Sequence, residues 1–245
     1  MKIIPLIILI VLFFGCTKEQ KTTQTTDAKK DSAVEKPKTE QTTKTNPKGA
    51  GDDTTKPQTS FSNVEYGISK LPPTLTGYQG KIVAMAKWED KMGANVVFIT
   101  ETEEKESGDI MSKELFGYHY TITDKENKLI WKINDFVKDC PVDLTLKYID
   151  KSISITDLNN NGTGESSFLY RMSCKGDVSP DDMKLIMHEG ETKYAIRGEM
   201  KLNIKGEGTY GGKMNVDPSF DKAPKEFLEN AKARWNKYKD EEVGY

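Results

Sequence analysis

Large apolar side chains all but vanish between Thr17 and Ser60, and that gap fixes where a core can form. The stretch is mostly Thr, Lys, Gln, Asp and Glu; Val34 is its only large aliphatic residue, and it has no aromatic. Such a segment buries too little surface to offset the entropy of ordering it. It reads as a tether over residues 17–60, reaching about 35–40 Å end to end as a flexible coil. A folded body is therefore expected from Phe61 to Tyr245, a length ample for one core.

Within that body, apolar and polar residues alternate with period two between turn residues, the pattern of half-buried strands. The alternation predicts strands at Gly80–Trp88, Asn95–Thr102, Tyr118–Thr123, Leu129–Asp135, Val142–Ile149, Ser152–Thr156, Ser166–Ser173, Met183–His188 and Tyr194–Ile204. Gly, Asn or Asp at the bends points to hairpins over Glu89–Ala94, Asp124–Lys128 and Glu189–Lys193. A longer link, Glu103 to Gly117, is expected to hold a short helical turn at Met111–Phe116. Near the end, Ala223, Phe227, Leu228, Ala231, Trp235 and Tyr238 recur at helical spacing, with Ser219 or Asp221 as the cap and Pro224 in the first turn. The stripe reads as a face docked on the sheet rather than one held for a partner. The expected class is mainly β (α+β): an antiparallel sheet of about eight to nine strands with a C-terminal helix packed on it.

Ahead of the tether, Lys2 is followed by the apolar run Ile3–Phe14 and then Gly15-Cys16. This is a charged start, an apolar stretch too short for a comfortable membrane span, and a small residue at a cleavage point. The segment Leu12-Phe13-Phe14-Gly15-Cys16 resembles the lipobox of bacterial lipoproteins, with Phe13 standing where a smaller aliphatic residue is usual. The resemblance implies that residues 1–16 form a signal peptide ending at Cys16, whose sulfur is lipidated. Each buried acyl methylene adds about 0.8 kcal/mol to membrane affinity. Thr17 after that cysteine implies outer-membrane sorting. An ordinary signal peptide and a retained anchor are the alternatives.

Cys140 and Cys174 then remain as an even pair in an exported, oxidising setting, and a disulfide between them is expected. Two buried free thiols are the alternative. With 36 basic against 38 acidic side chains, and no basic cluster interleaved with aromatics, no nucleic-acid partner is expected.

One loop carries ligand-like chemistry. Asp157-Leu158-Asn159-Asn160-Asn161-Gly162-Thr163-Gly164-Glu165 has side-chain oxygens at relative positions one, three, five and nine, with Gly162 at six and the Thr163 carbonyl at seven. That spacing turns alternate oxygens inward, as a hard cation such as calcium requires. Phe168 at position twelve rules out an EF-hand. The loop resembles the strand-loop-strand calcium sites of integrin-type β-propeller repeats, with Asn159, Asn161 and Glu165 in place of Asp. Two formal negatives imply weak binding, about 0.1–1 mM. A dry turn built on Asn161-Gly162 is the alternative. There is no His-Glu-x-x-His helix, nucleophile elbow or phosphate-binding glycine loop. His119 and His188 fall in expected strands, where a hydrogen-bonded or surface role is the ordinary one.

From Asp139 onward the chain resembles a family of exported bacterial proteins sometimes labelled as related to surface-polysaccharide biosynthesis. The segments that carry the resemblance are Asp139-Cys140-Pro141-Val142-Asp143-Leu144, Ile155-Thr156-Asp157-Leu158, Ser173-Cys174-Lys175-Gly176-Asp177-Val178-Ser179-Pro180 and Met183-Lys184-Leu185-Ile186-Met187, with a final helix containing Trp235. The resemblance implies an envelope setting and transfers no active site. It agrees with the pairing of Cys140 and Cys174. The functional expectation is a lipid-anchored envelope protein with a ligand-binding or structural role toward a glycan or an envelope protein, Trp88, Tyr118, Tyr120 and Trp131 being aromatics able to stack on sugars. The alternative is an enzyme acting on envelope polysaccharide through paired carboxylates.

Overall fold

A computed structural model of the chain describes residues 61–241; Cys16, its leading run and the tether lie outside the described residues. The described chain is mainly β, as expected. In order, it runs through β1 (Ser62–Tyr66), β2 (Lys81–Asp90), β3 (Gly93–Glu101), β4 (Lys105–Ser107), β5 (Ile110–Ile122), β6 (Asn127–Cys140), β7 (Leu144–Tyr148) and β8 (Ser154–Thr156). It continues through β9 (Glu165–Cys174), β10 (Asp182–Glu189), β11 (Thr192–Glu199), β12 (Lys201–Ile204), β13 (Gly208–Gly211) and β14 (Met214–Val216). A 3₁₀ turn (Pro218–Lys222), α1 (Lys225–Tyr238) and β15 (Asp240–Glu241) complete it.

The strands form two six-stranded sheets and a small three-stranded ribbon rather than one sheet. The first sheet has the order β1-β2-β3-β5-β4, with β6 on the far side of β5. The second has the order β14-β11-β10-β9-β7, with β8 also on β9. Their inner faces pack together through Ala86, Trp88, Val97, Ile99, Leu115, Trp131, Phe168, Tyr170 and Ile186. Since side chains alternate across a strand, each sheet also has an outer apolar face to cover. On the second sheet, Leu169, Met183, Leu185, Met187, Tyr194 and Ile196 are covered by Phe227, Ala231 and Trp235 of α1. On the first, Met85, Val96, Phe98, Phe116 and Tyr118 are covered by Leu71, Leu75 and Tyr78, from the irregular segment between β1 and β2.

Three local expectations are corrected. Met111–Phe116 is strand, not helix. Gly108, at φ 64°, turns the chain back so that Ser107 faces Ile110, and pairing with β3 and β6 outweighs local propensity. Within the same strand Gly117 lets the sheets close: a Cβ there would sit 3.0 Å from Ile133 and 3.2 Å from Phe168 and Trp131. Tyr194–Ile204 is two strands, because Met200 leaves the second sheet to bond Asp181 and Gly212 before β12 joins the ribbon. Neither Ser219 nor Asp221 caps α1. Pro224 stands at its N-cap, while Asp217 caps the 3₁₀ turn by accepting from the Ser219 amide at 3.0 Å.

The expected hairpin bends are all present, closed by Asp90 facing Gly93, Ile122 facing Asn127, and Glu189 facing Thr192. Cys140 and Cys174 are joined, with Cα atoms 5.7 Å apart. Cys140 ends β6 of the first sheet and Cys174 ends β9 of the second, so the bond ties the sandwich at one end. Replacing both cysteines by Ala is expected to remove roughly 2–4 kcal/mol. Thermal melts should then fall by roughly 4–16 °C for a body of this size; an unchanged melt would leave the bond without stabilising weight.

Candidate functional site

The loop singled out by its oxygens joins β8 to β9, closed by Thr156 facing Glu165 in register. Asp157 bends it. Its Oδ1 accepts from the Asn161 amide at 3.0 Å and its Oδ2 from the Gly162 amide at 3.0 Å. Asn159 Oδ1 accepts from the same Asn161 amide, and Asn161 Oδ1 accepts from the Thr163 amide. Side-chain oxygens at positions one, three and five thus accept the loop's own backbone amides and order it. The left-handed residues are Asn160 and Gly162, so Asn161 and Gly162 do not form the two positive-φ positions of a type I′ pair.

Glu165, at position nine, is 1% exposed. Its Oε2 accepts from Thr156 Oγ1 and the Leu158 amide, both at 2.9 Å, while Oε1 is buried without a hydrogen-bond partner. In the sheet Glu165 stands directly across from Glu189 of β10. Burial, with the neighbouring Glu189 and Asp157 carboxylates, lifts the Glu165 acid to about 7 against the relief given by its own hydrogen bonds. Glu189 Oε1 in turn accepts from Asn159 Nδ2 at 2.8 Å and Asn161 Nδ2 at 2.6 Å. Sequence spacing gives no sign of Glu189; only the strand register brings it to the loop. Asp157, Glu165 and Glu189 do not close into a ready metal cage: among the described residues no group of three or more His, Cys, Asp or Glu is so arranged.

The loop also locks the two sheets together. The β2–β3 bend lies against it, with the Lys91 amide donating to Gly162 O at 2.9 Å and Lys91 Nζ to Asn161 O at 3.2 Å. The Gly164 amide donates at 2.8 Å to Oδ2 of Asp90, which is 1% exposed. Trp88 Nε1 reaches that same oxygen at 2.8 Å, while Asp90 Oδ1 takes the Met92 amide and Asn95 Nδ2. Gly164 must lack a side chain, since a Cβ would fall 2.4 Å from Trp88 Nε1. Asn95 Oδ1 then meets His119 Nε2 at 3.0 Å. Because Asn95 Oδ1 can only accept, His119 carries its proton on Nε2.

Both histidines are interior. His119 packs on Trp88 and on the edge of Trp131, and His188 stacks on Trp131 with ring centres 4.3 Å apart. Burial lowers His119 to about 4, against the pull of Asp90; burial, Lys193 and His119 lower His188 to about 3. Neither histidine opens onto solvent, and the Glu165–Glu189 pair is sealed on the Glu165 side. The aromatics named as sugar platforms are also spent on packing: Trp88, Trp131 and Tyr118 are buried and Tyr120 stacks on Phe98.

A cleft of about 440 Å³ lies elsewhere, between the β1–β2 edge and the β7–β8 connection, lined by Tyr66, Ile68, Met85, Tyr148, Asp150 and Lys151 among others. A smaller one of about 260 Å³ lies over the outer face of β2 and β3 near Lys87, Glu89 and Ile122. No helix among the described residues is long and apolar enough to cross a membrane. No family model matches the chain, and no curated protein or solved structure matches it either.

The shifted acidities set a pH dependence of stability. Each histidine's folded pKa lies below the ordinary 6.5, so the unfolded chain takes up protons first as pH falls. That contribution is complete above about 6.5 and is lost as pH falls to about 4 for His119 and about 3 for His188. Glu165 acts in the opposite sense: its raised pKa makes ionisation costly to the fold, and the cost is relieved as pH falls from about 7 to 4.5. In chelator, urea midpoints between pH 7 and 4 should therefore fall more steeply for Glu165→Gln than for the wild type. Equal slopes would mean that Glu165 ionises as freely in the folded protein as in the unfolded one.

Proposed function

We propose that this chain is a lipid-anchored cell-envelope protein with a binding or structural rather than an enzymatic role: its β-sandwich takes a glycan or protein of the envelope, and a weakly held calcium ion staples the Asp157–Glu165 loop. The observation that carries the reading is where the chemistry lies. His119, His188 and Glu165, the residues best suited to acid–base work, are buried; His119 and Glu165 make structural hydrogen bonds and His188 stacks on Trp131. The lipobox-like run ending at Cys16, the resemblance to exported proteins and the Cys140–Cys174 bond all favour an envelope setting. Hydrolysis of envelope polysaccharide by paired carboxylates gains no support from Glu165 and Glu189, since neither described cleft is lined by them.

Calcium fits the loop by donor type. Asp157, Asn159, Asn161, the Thr163 carbonyl and Glu165 offer only oxygens to a hard cation. The unpartnered Glu165 Oε1 and the facing carboxylate of Glu189 leave negative charge there that a cation would offset. The ion would compete with the bonds from Asn159 and Asn161 to Glu189, in keeping with a weak site. Its part would be to clamp the loop that Lys91 and Asp90 hold against the first sheet.

Calcium at about 10 mM, against a dissociation constant of about 0.1–1 mM, should add roughly 1–3 kcal/mol. Melting should rise by several degrees, with no rise in magnesium-free chelator and none for Glu165→Gln or Asp157→Ala. A melt indifferent to calcium would remove the staple and leave a dry loop. In cells, Cys16→Ala should leave the protein uncleaved or soluble; normal processing with membrane retention would contradict the anchor.

A further inference from the structure

We propose that the cleft between Tyr66 and the Asp150–Lys151 corner is a saccharide-binding site, an assignment that rests on reading the domain as a binding module. Tyr66 is 55% exposed and Ile68 62% exposed, an unusual pair of bare apolar side chains beside a cavity. The cavity, about 440 Å³, falls within the range of roughly 300–1,000 Å³ typical of ligand clefts.

The Tyr66 ring is fixed. Its hydroxyl accepts from the Ile155 amide at 3.0 Å and donates to the Ile155 carbonyl at 3.4 Å, bolting β1 of one sheet to β8 of the other. A ring anchored at its far end presents its face without losing rotamer freedom on binding. The opposite rim is fixed as well. Lys151 is held at φ 57°, a conformation a lysine rarely adopts. Its carbonyl accepts from Tyr238 Oη at 2.7 Å, and the next carbonyl, of Ser152, accepts from Arg234, both on α1. The Ser152 side chain is itself paired with the Leu169 backbone. Strain held by so many ties marks a pre-organised feature.

The chemistry of the walls selects the ligand. A pyranose has apolar C–H faces and hydroxyl edges. The Tyr66 ring and Ile68 suit the faces; the Asp150 carboxylate accepts from hydroxyls and the Lys151 ammonium donates to them. The two charges cancel at the rim, which favours a neutral sugar chain over a polyanion. An acyl chain would leave both charges facing apolar surface.

The test uses the full-length chain in a detergent without sugar head groups, titrated calorimetrically with maltotetraose, cellotetraose and N-acetylated chitotetraose. At least one should bind. Tyr66→Ala should weaken it tenfold or more, and Asp150→Asn, an exposed site with no hydrogen bond to lose, should weaken it several-fold with an unchanged melt. Tyr66→Phe, which keeps the ring but loses its anchor to Ile155, should bind with an affinity between those of the wild type and Tyr66→Ala. A sugar bound equally well by Tyr66→Ala and Asp150→Asn would remove this cleft while leaving the binding-module reading standing. No binding of any of the three would overturn both the cleft and the glycan half of that reading. Uptake of a fluorescent fatty acid in place of sugar, lost in Tyr66→Ala, would overturn the saccharide assignment.

Discussion

The fold turns on one buried carboxylate. Asp90 takes four hydrogen bonds, from Trp88, Met92, Asn95 and Gly164, and so satisfies a charge that would be costly inside a protein. Three of those donors belong to the β2–β3 hairpin and the fourth to the loop entering β9, so one side chain fixes both a bend and the approach of the second sheet. The consequences run outward from it. Asn95, oriented by Asp90, sets the His119 tautomer; His119 lies against Trp131, and Trp131 carries His188. Removing one partner from such a chain leaves buried polar groups exposed to none, which costs more than the single bond lost.

Much of this architecture was legible in the residues. Period-two alternation marked most long strands, and the stripe Phe227–Ala231–Trp235 marked the helix and its docking face. The even cysteine pair marked the bond between sheets. What alternation cannot tell is which sheet a strand joins, since it records only inside against outside. That is why one sheet was expected where two are found. The short strands β4, β13 and β14 carry too few apolar residues to signal themselves, and Met111–Phe116 shows apolar spacing that suits a helix until β3 and β6 pair with it.

The candidate sites divide in the same way. The oxygen spacing of Asp157, Asn159 and Asn161 is local, and so are the amides those oxygens accept. Glu189 and Lys91 reach the same loop through strand register and hairpin packing, contacts that span 28 and 70 positions in the chain. Tyr66 lies farther still from pattern. It ends a short edge strand, Ser62–Tyr66, and only its bond to Ile155 reveals that it is fixed. Trp88 and Trp131, aromatics able to stack on sugars, are consumed by the core, the ordinary fate of a tryptophan.

The bond between Cys140 and Cys174 is lopsided. Cys174 stands at the exposed end of β9, whereas Cys140 is 0% exposed, with its sulfur 3.2 Å from the Val142 carbonyl and 3.7 Å from that of Asp143. Only the Cys174 end of the linkage lies at the surface; the Cys140 end is enclosed by the core of the sandwich. The linkage is thus a rivet driven from the rim of one sheet into the packed interior.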